Sequence, residues 1–134
     1  MCGIIAYMGK EKALPIIMDG LHRMEYRGYD SAGIAIVEPR GIVMEKKKGK
    51  LSNLELALQG NISSGTVGIG HTRWATHGAP SDLNAHPHTD CKNEIFVIHN
   101  GIIENAATLQ YALIEKGHTF RSETDTEVLA HLIE

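Results

Sequence analysis

A chain of 134 residues has room for one domain and not for a second of ordinary size. Hydrophobic residues make up 43% and charged residues 22%, the balance of a folded globular protein rather than a disordered one. The net charge of −3, from 13 basic and 16 acidic side chains, leaves no surplus to neutralise phosphates, which excludes nucleic acid as the main partner.

Cys2-Gly3-Ile4-Ile5-Ala6-Tyr7 is apolar almost throughout and predicts a strand buried on both faces. Leu14, Ile17, Leu21 and Met24 then fall at helical spacing, predicting a helix over Lys12–Met24 with Pro15 in its first turn. Tyr26 to Ser31, with Gly28 in the middle, reads as a loop. Ala32–Val37 and Ile42–Lys46 read as strands of a hairpin through Pro39-Arg40-Gly41. Lys46-Lys47-Lys48 is the one basic run and reads as a solvated strand end. Ser52-Asn53-Leu54-Glu55 has the form of a capping box and opens a short helix to about Leu58.

Thr66–Thr72 and Glu94–His99 read as further strands, with Asn100-Gly101 as a tight turn after the second. Asn105 caps a helix to Lys116, and Gly117 stops it. Thr124-Asp125-Thr126-Glu127 has the form of a second capping box, before Val128, Leu129, Leu132 and Ile133. The chain reaches Glu134 with no stop signal and reads as a fragment. Arg73 to Cys91 is too long for an ordinary connection and is expected to be functional. No twenty-residue apolar span or secretory segment is seen, so the expectation is a cytoplasmic chain without a membrane partner, with Cys2 and Cys91 as free thiols.

Cys2 carries the first chemistry. Removal of Met1 would leave a terminal cysteine whose own α-amine can take the thiol proton. Acyl transfer then needs donors aimed at the developing oxyanion, and the Asn100 amide with the Gly101 N–H offers two. Each feature alone also has a plain reading, a small buried thiol and a hairpin turn. For a free amino acid as substrate, Arg73 can grip a carboxylate with a two-pronged fork, and Asp125 can accept an ammonium or merely cap a helix. His71, His77, His86, His88, His99 and Cys91 could supply zinc ligands, but their spacing matches neither a paired-cysteine knuckle nor His-Glu-x-x-His. No metal and no cofactor is assigned on that ground.

Taken together, several segments carry a resemblance: Cys2-Gly3-Ile4-Ile5, Tyr26 through Gly33, His71 through Gly78, Asn84 through His88, His99 through Asn105, and Thr124 through Glu127. The chain resembles the N-terminal glutaminase domain of the glutamine–fructose-6-phosphate aminotransferases, among the class II glutamine amidotransferases of N-terminal-nucleophile type. The resemblance spans the whole chain, and the Tyr26 and His71 segments look specific to the hexosamine-forming branch.

The resemblance implies an α+β fold, the αββα sandwich of the Ntn hydrolases, incomplete in this chain. It implies that residues 1–134 are the N-terminal part of the glutaminase domain, with the sugar-isomerase domains absent. The implied activity is hydrolysis of L-glutamine through a Cys2 thioester, the ammonia serving glucosamine-6-phosphate synthesis in the full-length enzyme. Cys2, Asn100 and Gly101 would be catalytic. Arg73 would hold the substrate carboxylate and Asp125 its ammonium, with Thr76 and His77 lining the same end. Trp74 would ride a mobile loop over the substrate, and His86 would lie near it. Fructose 6-phosphate would be met only through the absent C-terminal domains, and the full-length enzyme is expected to be a homo-oligomer. A non-catalytic fragment and a histidine-rich metal-binding module are the alternatives.

Overall fold

The structure, a computed structural model, describes residues 2–27, 29–61, 63–75 and 78–134. The expectations for Met1, Gly28, Thr76 and His77 lie outside the described residues. Strands β1 (Gly3–Met8), β2 (Ser31–Glu38), β3 (Gly41–Lys48) and β4 (Val67–Arg73) form one antiparallel sheet in the order β1-β4-β2-β3. Helices α1 (Ala13–Met24) and α2 (Leu51–Leu58) cover one face of it. Alternation along each strand sends Ala32, Ile34 and Ile36 to that face, where they pack with Ile17, Leu21, Leu51 and Leu54 as the core.

The other face receives His71, Arg73 and Gly33, since Gly33 pairs with His71 and Ser31 with Arg73. Against it lies the segment carrying β5 (His88–Thr89), which pairs with β6 (Phe96–Val97), and the His71 and His86 rings meet there at 4.5 Å. Helices α3 (Ala106–Glu115) and α4 (Glu127–Ile133) follow, and α4 packs on β5 and β6. The layer order is helix, sheet, sheet, helix, the expected α+β sandwich.

Gly33 makes this layering possible. A Cβ there would stand 2.1 Å from the His86 carbonyl oxygen, so only a glycine lets the loop lie flat on the sheet. Gly117 makes a turn that needs a glycine. At φ +96° it closes a Schellman motif on α3, with Gly117 N–H on the Ile114 carbonyl and His118 N–H on that of Leu113.

Several local expectations fail. Strand β1 is an edge strand covered by α1 on one side only, so Ile4 and Ala6 are exposed instead of buried. Helix α2 starts one residue before the predicted cap, at Leu51, and its cap makes no side-chain bond, while Glu55 turns to the His22 ring. The strand predicted over Glu94–His99 contracts to Phe96–Val97. Neither Asn100 nor Gly101 has the positive φ that a tight hairpin turn requires. The second capping box is also not formed, because the Glu127 carboxylate accepts from the Arg121 and Ser122 N–H groups, 2.7 Å from each, further back along the chain. Lys46 is not fully solvated either. Its ammonium donates to the Leu83 carbonyl, and burial lowers its pKa to about 8.

Candidate active site

The β1–β4 register sets the start of the site. Gly3 pairs with Thr72, and the Gly3 N–H donates to Thr72 Oγ1 at 3.1 Å, which holds Cys2 beside the end of β4. The Cys2 thiol there accepts from the Trp74 N–H at 3.1 Å and faces the Trp74 carbonyl at 3.6 Å. Trp74 itself is exposed.

The chain beyond β4 is pinned by Asp30. Its carboxylate accepts from the Ala75 N–H at 2.5 Å and the Ser31 hydroxyl at 3.1 Å, and its own N–H donates to the Arg73 carbonyl at 2.8 Å. Asp30 lies within the Tyr26-to-Gly33 segment but was not singled out in the sequence, because a loop aspartate signals nothing until its partners are known. Arg73 is buried, and its guanidinium donates to the Gly78 carbonyl at 3.1 Å. Asn84 ties the same loop to the segment before α4, donating to Ala79 and Glu123 and accepting from the Glu123 N–H.

Cys2, Arg73, Trp74, His86, Asn100, Gly101 and Asp125 all line one cavity of about 230 Å³. That volume suits a ligand of amino-acid size. Asp125 is mostly buried, and its Oδ2 accepts from the Ile103 N–H at 2.7 Å, which ties the Asn100–Ile103 stretch to the start of α4. It caps no helix, since the cap of α4 is Thr126. Thr124, Thr126, His71, His99 and Ile102 complete the wall without having been assigned a site role in the sequence.

Behind this wall the His86 ring stands 4.5 Å from both the His71 and the His88 rings. His86 Nε2 meets Thr126 Oγ1 at 3.0 Å, and His88 Nε2 meets Thr124 Oγ1 at 2.8 Å. Burial, reinforced by the Arg73 charge, pushes the His71 pKa down to about 3. Burial, with Lys46 and Arg73 adding, pushes His88 down to about 2 and moves His86 in the same direction. All three rings are neutral at neutral pH, so among the described residues behind this wall Arg73, and not these three imidazoles, carries positive charge. A site built this way presents a thiol, amide and backbone donors, one guanidinium and one carboxylate to a single small molecule.

Residues 43–134 match a family described as the glutamine amidotransferase domain. The chain is 62% identical over 134 residues to the glutamine–fructose-6-phosphate aminotransferase of Symbiobacterium thermophilum, covering 99% of this chain and 22% of that protein. With the Aquifex aeolicus enzyme of the same name it shares 59% over 133 residues, covering 99% and 22%. With that of Pyrococcus horikoshii it shares 58% over 134 residues, covering 100% and 22%. The chain thus spans about a fifth of the length of these relatives. Among solved structures, the glutamine phosphoribosylpyrophosphate amidotransferase of B. subtilis, complexed with ADP and GMP, superposes with a TM-score of 0.77 at 30% identity, over 99% of this chain and 29% of that one. By sequence and by fold, this chain belongs to the glutamine amidotransferase domain family.

Proposed function

We propose that this domain hydrolyses L-glutamine to glutamate and ammonia through a γ-glutamyl thioester on Cys2. One observation supports the reading: Cys2, Arg73, Asn100, Gly101 and Asp125, from distant parts of the chain, line the same cavity. With Met1 removed, the Cys2 α-amine takes the thiol proton and the sulfur attacks the substrate's side-chain carbonyl. The Asn100 amide and the Gly101 N–H stabilise the oxyanion that forms. The amine returns its proton to the departing ammonia, and water then cleaves the thioester. Arg73 holds the substrate carboxylate and Asp125 its ammonium. Trp74, Thr76, His77 and His86 shape the substrate end.

In this reading residues 1–134 are the N-terminal part of a glutaminase domain in a longer, cytoplasmic, homo-oligomeric enzyme of hexosamine biosynthesis. Fructose 6-phosphate receives the ammonia on sugar-isomerase domains outside this chain. Among the described residues, no helix is long and apolar enough to cross a membrane.

The test compares chain with and without Met1, because a Cys2 nitrogen held in a peptide bond has no useful basicity. Glutamate release and intact mass after exposure to a diazo-ketone glutamine analogue are followed. The Met1-free chain should take one adduct on Cys2 and release glutamate, while Cys2→Ala should do neither. Equal labelling rates with and without Met1 would remove the α-amine from the mechanism.

A further inference from the structure

Away from the cavity, four side chains from three segments converge on one point. Cys91 follows β5, His118 follows Gly117 at the end of α3, His131 lies on α4, and Glu134 caps that helix three residues on. One ligand atom from each lies within 4.8 Å of all the others. Cys91 Sγ is 4.0 Å from His118 Nδ1 and 3.6 Å from His131 Nδ1. Glu134 Oε2 is 2.9 Å from His118 Nδ1 and 3.3 Å from His131 Nδ1. Ligands around tetrahedral zinc stand roughly 3.3–3.7 Å apart, given bonds of about 2.0–2.3 Å. The four printed separations bracket that spacing, and no pair exceeds 4.8 Å, so modest side-chain shifts bring the four atoms to the corners of such a site.

The surroundings match as well. The Thr119 N–H points at Cys91 Sγ from 3.4 Å and fixes the direction of the sulfur. His131 is buried, and its other nitrogen, Nε2, faces Glu127 Oε1 at 3.4 Å. Glu127 is in turn held by the Arg121 and Ser122 N–H groups. A carboxylate behind a histidine in this way orients the ring and strengthens it as a ligand. The Cys91 N–H donates to Glu134 Oε2 at 3.3 Å, which turns this carboxylate toward the same point.

We propose that Cys91, His118, His131 and Glu134 bind a divalent zinc-type cation in a closed tetrahedral site. Thiolate, imidazole and carboxylate together suit zinc, and four protein ligands leave no open position for chemistry. The role is structural: the ion ties the β5 loop and the turn after α3 to α4, whose approach carries Asp125 into the cavity. The histidines weighed as ligands in the sequence, from His71 to His99, take no part in it. Only Cys91 is shared.

The test uses a Cys2→Ala background, which leaves Cys91 as the single thiol. After chelator treatment and dialysis, the chain is titrated with cobalt(II) and then with zinc. One equivalent of cobalt should bind with the intense visible bands of tetrahedral geometry and a sulfur-to-cobalt charge-transfer band, and zinc should displace it. Cys91→Ser should lose the charge-transfer band. His118→Gln, at a partly exposed position, should weaken zinc by more than the roughly 10–100-fold that removal of a supporting partner costs. Zinc should raise the melting temperature of the Cys2→Ala chain and leave that of Cys91→Ser unchanged. Failure to bind one equivalent, or a cobalt spectrum without the sulfur band, overturns the site.

Discussion

The Trp74 backbone N–H donates to Cys2 Sγ at 3.1 Å, joining residues 72 positions apart in the chain. This contact follows from the pairing of Gly3 with Thr72, which sets the ends of β1 and β4 side by side. The second residue of a chain is ordinarily frayed, but here it is held against the loop that leads to Arg73's partners. A thiol fixed in this way faces the Asn100–Gly101 stretch across one cavity.

Asn100 tests the oxyanion assignment. Its side chain is exposed toward the cavity and carries no part of the core, so Asn100→Ala should fold normally. Loss of one donor should lower kcat by roughly 10²–10³-fold with little change in KM. Steady-state glutamate release reads both. A kcat within a few-fold of the parent would assign the oxyanion to other donors.

Arg73 tests the substrate carboxylate. Arg73→Lys keeps the charge but loses the planar fork, including the arm that reaches the Gly78 carbonyl. Glutamate, as the product, should bind measurably more weakly to this variant by calorimetry, and the KM for glutamine should rise. Unchanged affinity for glutamate would exclude Arg73 from carboxylate binding.

His71, His86 and His88 make the stability depend on acid. Burial and neighbouring cations hold His71 at about 3 and His88 at about 2, with His86 shifted the same way. In the unfolded chain a histidine titrates near ~6.5. Below that value the unfolded state therefore binds more protons than the folded one, and falling pH favours unfolding. These rings leave stability untouched above about pH 6.5 and reduce it progressively toward pH 3, with a slope approaching ~1.4 kcal/mol per pH unit for each ring. Urea midpoints should be lower at pH 5.5 than at pH 7.5. Midpoints that stay level over this range would show that the rings are charged, or hydrated, in the folded state.

Gly33 tests the packing of the two sheets. A methyl group there meets the His86 carbonyl, which is backbone and cannot rotate away. Gly33→Ala should cost about 1–3 kcal/mol by overpacking and should displace His86 from the cavity wall. Denaturant unfolding gives the first effect, and a weaker affinity for glutamate gives the second. An unchanged midpoint would mean that the loop sits off the sheet in solution.

What was legible in the sequence depended on the range of the interaction. Apolar spacing over Leu14, Ile17 and Leu21 placed α1 correctly, because the helical period is a local property. The hairpin at Pro39-Arg40, where Glu38 pairs with Gly41, and the Gly117 stop were legible for the same reason. The residue types Cys2, Arg73, Asn100 and Asp125 suggested a chemistry from what each functional group can do. Tertiary structure decided the rest. Both predicted capping boxes dissolved because Glu55 and Glu127 found partners elsewhere, in His22 and in the Arg121–Ser122 backbone. His118 and His131 stand 27 and 40 residues from Cys91, and no spacing rule joins them. Only the packing of α4 on β5 and the turn that ends α3 bring their nitrogens to one sulfur. Local periodicity carries the elements, while the meeting of side chains from different elements is set by the register and packing of the layers between them.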